Sequence, residues 1–339
     1  MTLRELQEQG YDITEREYMA LHGRVTRELR TALDESRRRI RELYDALDSV
    51  KPEDYYVTAV RLNRLTRLQD DLVTAYNVAA RRSGAAIQNA AELAITNAYY
   101  RQQFALVLGT SVLDDVNMVF AVLPGDVVQA SVYGTATRIS ERYGVASDYI
   151  PKSGTFLKAV LDRNKSADVD KIRTAITQAL TLGEGYQKAA GRIKTILDTT
   201  ATNAERIIRT EGHRNQTAGQ YAMTQEARAQ GVEVRRQILS VLDSRTRPQS
   251  VIVDGRMEND DGYFQYPGEL VKIPGNSGKA KWDINDREAV IDVIDGVEPT
   301  VRRVKNPVTG ESEIISFRSF DEWARGNGLN QNDYGQWVG

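Results

Sequence analysis

Arginine, carboxylate and hydroxyl side chains crowd two short stretches of this chain. One is Arg209-Thr210-Glu211; the other is Asp243-Ser244-Arg245-Thr246-Arg247-Pro248, followed by Asp254-Gly255. Guanidinium forks match carboxylates bidentately, so Glu211 with Arg209, Arg245 and Arg247 is expected to clamp a helix to a turn, with Asp243, Asp254 and Gly255 completing the motif. The same forks and hydroxyls could meet phosphate, which makes Arg245 and Arg247, with Arg235 and Arg236 just upstream, the candidate DNA or partner contacts. No nucleophile or base accompanies them, so the expected role is structural and no catalytic residue is assigned. His213 beside Glu211 looks like half a dyad, but a lone histidine on a helix is usually a core or surface residue. Gly275-Asn276-Ser277-Gly278-Lys279-Ala280 has the outline of a phosphate cradle, yet residue 273 is Ile rather than Gly and Ala280 replaces the Mg²⁺-binding hydroxyl. Asp286 and Glu288, with Glu258, Asp260 and Asp261, could in principle hold a hard cation. Their spacing is not that of an EF-hand, and solvated acids paired with local Lys and Arg are expected instead, so no metal or cofactor is assigned.

These groups need elements to position them. Thr202-Asn203-Ala204-Glu205 reads as a capping box opening a helix that stops at Gly231. Val232, Val234 and Ile238 then alternate as a strand, and Val290 to Ile294 reads as a second, with a long loop over 255–285. Asn306-Pro307-Val308-Thr309-Gly310 separates two strand-like runs, a hairpin signal. Ser319-Phe320-Asp321-Glu322 opens a short helix that Gly326 ends, and the polar tail carries Tyr334 and Trp337 as candidate docking aromatics. Upstream, residues 1–11 are polar and commit to no element, and Thr14-Glu15-Arg16-Glu17 reads as another capping box. Its helix carries an apolar stripe of Leu29, Leu33, Ile40, Leu43 and Leu47 and is broken at Lys51-Pro52. Leu65, Leu68, Leu72 and Tyr76 mark a second helix folding back on the first. Tyr99 to Phe104 is expected at a core edge or protein contact rather than stacking bases. Val169, Ile172, Ile176 and Leu180 resume the helical spacing, and Gly183-Glu184-Gly185 makes a turn. The fold class is α+β: a mainly helical N-terminal arm (1–167), a small α/β module with an antiparallel sheet or hairpin (168–298), and a β-hairpin, short helix and aromatic tail (299–339).

Hydrophobic residues make up 41% of the 339 and charged residues 27%, the proportions of an ordinary globular protein. No run approaches the ~20 apolar residues of a membrane span. The absence of cysteine excludes disulfides and thiolate metal sites. A net charge of −2 argues against a nucleic-acid coat. Residues 201–250 carry eight Arg against five acids and 254–298 eleven acids against five bases, which suggests a two-signed surface.

The ordered series Arg209-Thr210-Glu211, Leu242-Asp243-Ser244-Arg245-Thr246-Arg247-Pro248, Asp254-Gly255, then Pro267-Gly268 and Pro274-Gly275, resembles the tailed-phage minor head (head morphogenesis) protein family, the F-like family named after phage Mu. Asn215 and Gly219 also fit its helix. The family's N-C-R-C element stands here as Asn285-Asp286-Arg287-Glu288, with both cysteines replaced. The resemblance covers roughly Val169 to Val293. It implies a non-enzymatic virion component assembled in the host cytoplasm and bound to the portal or capsid interior near the portal vertex. Its partners would be the portal protein, the major capsid or scaffold protein and viral genomic DNA, with no membrane, in head assembly and DNA packaging, retention or delivery. The alternative from another class is an effector enzyme delivered with the genome, a nuclease or ADP-ribosyltransferase. For the latter, Glu311-Ser312-Glu313 is similar to the family's E-x-E, but no Ser-Thr-Ser strand precedes it.

Overall fold

The computed structural model describes residues 2–110, 118–119, 121–133, 153–241, 246–284 and 286–294, and the strand backbones 301–305, 312–316, 330–331 and 337–338. The helices are α1 (Leu3–Ala20), α2 (His22–Asp45), α3 (Tyr55–Arg61), α4 (Arg64–Thr110), α5 (Gly125–Tyr133), α6 (Ser153–Thr181), α7 (Tyr186–Ala229), α8 (Pro248–Val253) and α9 (Ala280–Asp283). The strands are β1 (Val234–Ser240), β2 (Phe264–Tyr266), β3 (Glu269–Val271), β4 (Glu288–Ile294), β5 (Val301–Lys305), β6 (Ser312–Ser316), β7 (Asn330–Gln331) and β8 (Trp337–Val338). This is the α+β class expected, predominantly helical with small antiparallel two-stranded sheets toward the C-terminal part.

The chain forms two compact units: a helical one of residues 19–90 and 155–209, and a mixed one of 1–18, 91–154 and 210–339. They do not follow the boundary at 167/168 that the sequence suggests, because every passage between them lies inside a helix: α1, α4, α6 and α7. Asp168, taken as that boundary, is buried within α6, where the hydroxyls of Tyr76 (2.8 Å) and Thr200 (2.7 Å) donate to its carboxylate.

In the helical unit, Leu29, Ile40, Leu43 and Leu47 are buried as the stripe predicts. Leu33 is only half-buried, and Ala32 and Ser36 take the inner positions. Leu65, Leu68, Leu72 and Tyr76 are buried on α4, and Ile172, Ile176 and Leu180 on α6.

Both upstream capping boxes are corrected. Thr14 and Thr202 lie inside α1 and α7, and their hydroxyls donate back to the carbonyls of Gly10 (2.8 Å) and Asp198 (3.1 Å). Such i−4 bonds satisfy a mid-helix threonine without ending the helix. The polar residues 1–11 also belong to α1, which buries Leu3, Leu6 and Tyr11 together with Arg4 and Gln7. Helix α7 does end where glycine allows it, at Gly231 with φ 86°.

In the mixed unit β1 pairs antiparallel with β4, Arg236 opposite Asp292 and Ile238 opposite Val290. The expected long loop between them holds the β2–β3 hairpin and α9. One apolar cluster joins Leu3, Leu6, Ile95, Tyr99, Met223 and Ile294; another, under the hairpin, joins Ile238, Val253, Phe264, Tyr266, Val271, Trp282 and Val290. Tyr99 is thus core, while Phe104 is exposed. Helices α4 and α7 meet so closely that a Cβ on Gly219 would lie 2.3 Å from the carbonyl oxygen of Ile95. The expected hairpin is present as β5–β6. The short helix expected after Ser319 lies outside the described residues.

Candidate functional site

The C-terminal half of α7 buries a row of polar side chains: Glu211, His213, Arg214, Asn215, Gln216, Thr217, Gln220 and Thr224. Buried polar groups cost free energy unless paired, so their partners define what this site does.

Among the described residues, Glu211 pairs with neither Arg209 nor Arg247. Its partner is Arg214, one turn on, at 2.8 Å. Arg214 also stands 3.6 Å from Asp283 and donates to the Gly275 carbonyl. One Glu211 oxygen, Oε2, has no hydrogen-bond partner, and burial raises this carboxyl above the ordinary carboxylate range. Asp283 accepts from the Ser277 amide and hydroxyl and from the Gly278 amide, each at 2.8 Å. The phosphate-cradle outline at 275–280 is therefore filled by the chain's own carboxylate, which stands where an anion would bind.

A second centre joins α1, α7 and the start of β4. The Tyr11 hydroxyl lies 2.8 Å from His213 Nδ1, and His213 Nε2 lies 3.2 Å from Asp286. The Nε2–H tautomer satisfies both contacts. Arg247 meets Asp286 from the other side at 3.0 Å, stands 3.7 Å from Glu288, and donates to the carbonyls of Trp282 and Ile284. Tyr266 donates its hydroxyl to Glu288, whose carboxyl is pushed up by burial and then by the neighbouring Asp286 charge. Asp286 and Glu288 thus form an ionic knot around Arg247 rather than the solvated acids expected. Among the described residues no group of three or more His, Cys, Asp or Glu is placed to hold a metal.

The third centre is Arg236 on β1, 1% exposed. Its Nε donates to Glu258 at 2.8 Å, and its two terminal nitrogens donate to the carbonyls of Lys272 (2.8 Å) and Gly262 (2.7 Å). Tyr221 and Phe264 lie within cation–π distance of its guanidinium, and Arg228 also pairs with Glu258. Burial pulls the Arg236 guanidinium below its usual value, opposed by Glu258. Nearby, Asp292 on β4 accepts from Gln102 (2.8 Å) and Thr224 (2.9 Å), and its backbone exchanges two bonds with the Gln7 carboxamide, at 2.7 and 3.1 Å. Burial pushes the Asp292 carboxyl up to about 6.

The remaining motif residues disperse. Arg209 pairs with Glu205 on the helical unit at 3.0 Å. Asp254 accepts from the Ser240 amide, and Gly255, φ 74°, donates to Ile238, so the pair closes the turn after α8. Arg236 is buried, which removes it as a DNA contact, and Arg247 is committed to Asp286; Arg235 is exposed and donates to the Glu258 carbonyl. Asp243, Arg245, Tyr334 and the Trp337 side chain lie outside the described residues. His213, Arg214, Tyr11 and Asp283 were not singled out as a joint site. Only the Arg214–Glu211 spacing of three carried a local signal for it.

A crevice in the mixed unit is lined by Gln7, Gly10, Tyr11, Ala98, Arg101, Gln102, Gln216 and Gln220. Its empty space of about 180 Å³ is below the ~300 Å³ of ordinary ligand pockets. Arg101 is already held by Glu17 at 2.6 Å, which lowers the Glu17 carboxyl. In these three centres the described residues assemble buried braces.

Residues 170–274 match the family model of phage Mu protein F-like proteins. The chain is 33% identical over 210 residues to the minor head protein GP7 of Bacillus phage SPP1, covering 62% of each. It is also 28% identical over 173 residues to the NAD(+)–arginine ADP-ribosyltransferase EFV of Enterococcus faecalis, covering 51% of this chain and 35% of that protein. The chain thus spans about three fifths and about a third of these relatives' lengths. No solved structure matches it.

Proposed function

We propose that this chain, which carries a phage Mu protein F-like domain, is a minor head protein of a tailed phage: a non-enzymatic component held at the portal or the capsid interior. The single observation that carries the reading is the closure of its charge. In the three ionic centres Glu211, Asp283, Asp286, Glu288 and Glu258 each have an arginine partner within the chain, and all five carboxyl groups are buried. Such groups set shape and leave little for substrate turnover. The similarity to a minor head protein over 62% of this chain supports the same reading. Docking on the portal falls to the exposed surface and to the tail with Tyr334 and Trp337, and DNA contact, where it occurs, to exposed arginines such as Arg235.

The test is capture of the full chain by its phage's portal protein, repeated at high salt and after removal of residues 320–339. Salt-resistant capture is expected, with loss on truncation assigning it to the tail. No capture at any salt would sink the portal assignment.

A second reading rests on the ADP-ribosyltransferase relative. Its covered share, 35%, is too small to bring that activity to this chain. Incubation with labelled NAD and an arginine-rich acceptor is expected to give no transfer; transfer lost in Glu311→Gln would favour the enzyme.

A further inference from the structure

Helix α3 is built inside out. Of its seven residues only Thr58 and Ala59 are buried, while Tyr56, Val57 and Val60 face solvent, Val57 at 60% exposure. Leu62, just past its end, is also exposed. An isolated exposed apolar residue is ordinary; a helix that hides its small residues and shows its large ones is not. The turn between α6 and α7 extends this surface. Gly183 there packs on Pro52, immediately upstream of α3, so that a Cβ would lie 2.8 Å from the Pro52 carbonyl oxygen, and its neighbour Leu182 is 66% exposed.

The charges around this apolar strip are ordered along it. Glu53 and Asp54 precede α3, Arg61 ends it and Arg64 follows, and all four are exposed. The strip therefore runs from an acidic to a basic end with valines between. Turning a second copy through 180° lays the acidic end of one strip on the basic end of the other and Val57 and Val60 against their equivalents. This is the condition for an isologous contact.

The geometry points to α3 as the contact surface between two copies of this chain, pairing antiparallel across a two-fold axis near Val57 and Val60. Each copy would cover roughly 300–500 Å², the weak and transient class of interface. The exposed charged rim makes the contact sensitive to salt and sets its direction.

Sedimentation velocity on the full chain at low salt, from about 1 to about 500 µM, covers the range in which such interfaces titrate. A monomer–dimer equilibrium is expected within it. The paired substitution Val57→Asp and Val60→Asp should weaken association by at least about tenfold, the cost of burying unpaired charge at the centre. Both sites are exposed, and an unchanged circular dichroism spectrum checks that the fold survives. The direction of pairing is read by charge reversal. Arg61→Glu/Arg64→Glu and Glu53→Lys/Asp54→Lys variants should each associate poorly alone and recover when mixed. A wild-type chain that stays monomeric throughout would overturn the proposal. So would a dimer that survives the valine substitutions, or charge-reversed variants that bind no better mixed than apart. Because the chain has no cysteine, Val57→Cys supplies a second readout: oxidation should link two copies through this position.

Discussion

Arg236 is the residue whose removal should be felt most. Its guanidinium is buried against Glu258, two carbonyls and two aromatic faces. Arg236→Ala would leave the Glu258 carboxylate buried with only Arg228 beside it, and the expected loss is about 3–5 kcal/mol by urea unfolding. Arg247→Ala should cost less, because the Arg247 side chain is 21% exposed and water can reach the gap. Asp292 gives a pH signature. Burial pushes its carboxyl up to about 6 in the fold, above the ordinary aspartate value of 3.8, so the native state binds the proton more tightly than the unfolded chain. The stabilisation is complete below the unfolded value and is lost as pH rises through about 6. Thermal midpoints should therefore fall between pH 4 and 6.5 more steeply in the wild type than in Asp292→Asn. Equal slopes would exclude Asp292 as the source. At this scale the sequence was only partly legible. It marked Glu211 and Arg247 as members of ionic braces but joined them to each other, whereas their partners are Arg214 and Asp286. Arg214 stands within one helical turn and can be read from spacing; Asp286 reaches Arg247 only through the fold of the loop between them.

Helices α4 and α7 were visible as periodicity but not in extent. Ala-rich α4 runs on to Thr110, and α7 runs through Thr202, taken for a cap, because the hydroxyls of Thr199, Thr200 and Thr202 each find a carbonyl on the preceding turn. Glycine separates the places where α7 needs a missing side chain from those where it does not. Gly219→Ala drives a Cβ into the Ile95 carbonyl and should cost at least about 1–3 kcal/mol, the range for overpacked cores. At Gly191, in the same helix, a Cβ would meet nothing within 4 Å. Gly191→Ala should therefore stabilise by about 0.5–1 kcal/mol, the gain in helix propensity. Thermal melts of the two variants should move in opposite directions. Two shifts of the same sign would mean that the contact at Ile95 is not the reason for glycine at 219.

Across the whole molecule, the least legible property was the division into units. Linkers betray themselves by glycine, proline and polar runs, and this chain passes between its units inside helices, where no such composition is needed. Residues 1–11 were opaque for a related reason. Gln7 is a polar residue with no local cause for burial, and its partner is the backbone of Asp292, 285 positions away. That pairing has a consequence for the order of synthesis. A ribosome releases α1 well ahead of β4, so Leu3, Leu6 and Tyr11 emerge long before the strand that helps to bury this helix. The helical unit has all of its residues by 209 and can close while the rest is still being made. Stalled nascent chains ending at residue 250 should yield protease-resistant segments from 19–90 and 155–209 and lose residues 1–18, which become protected only once β4 has emerged. Until then the N-terminal helix is the segment a chaperone would hold.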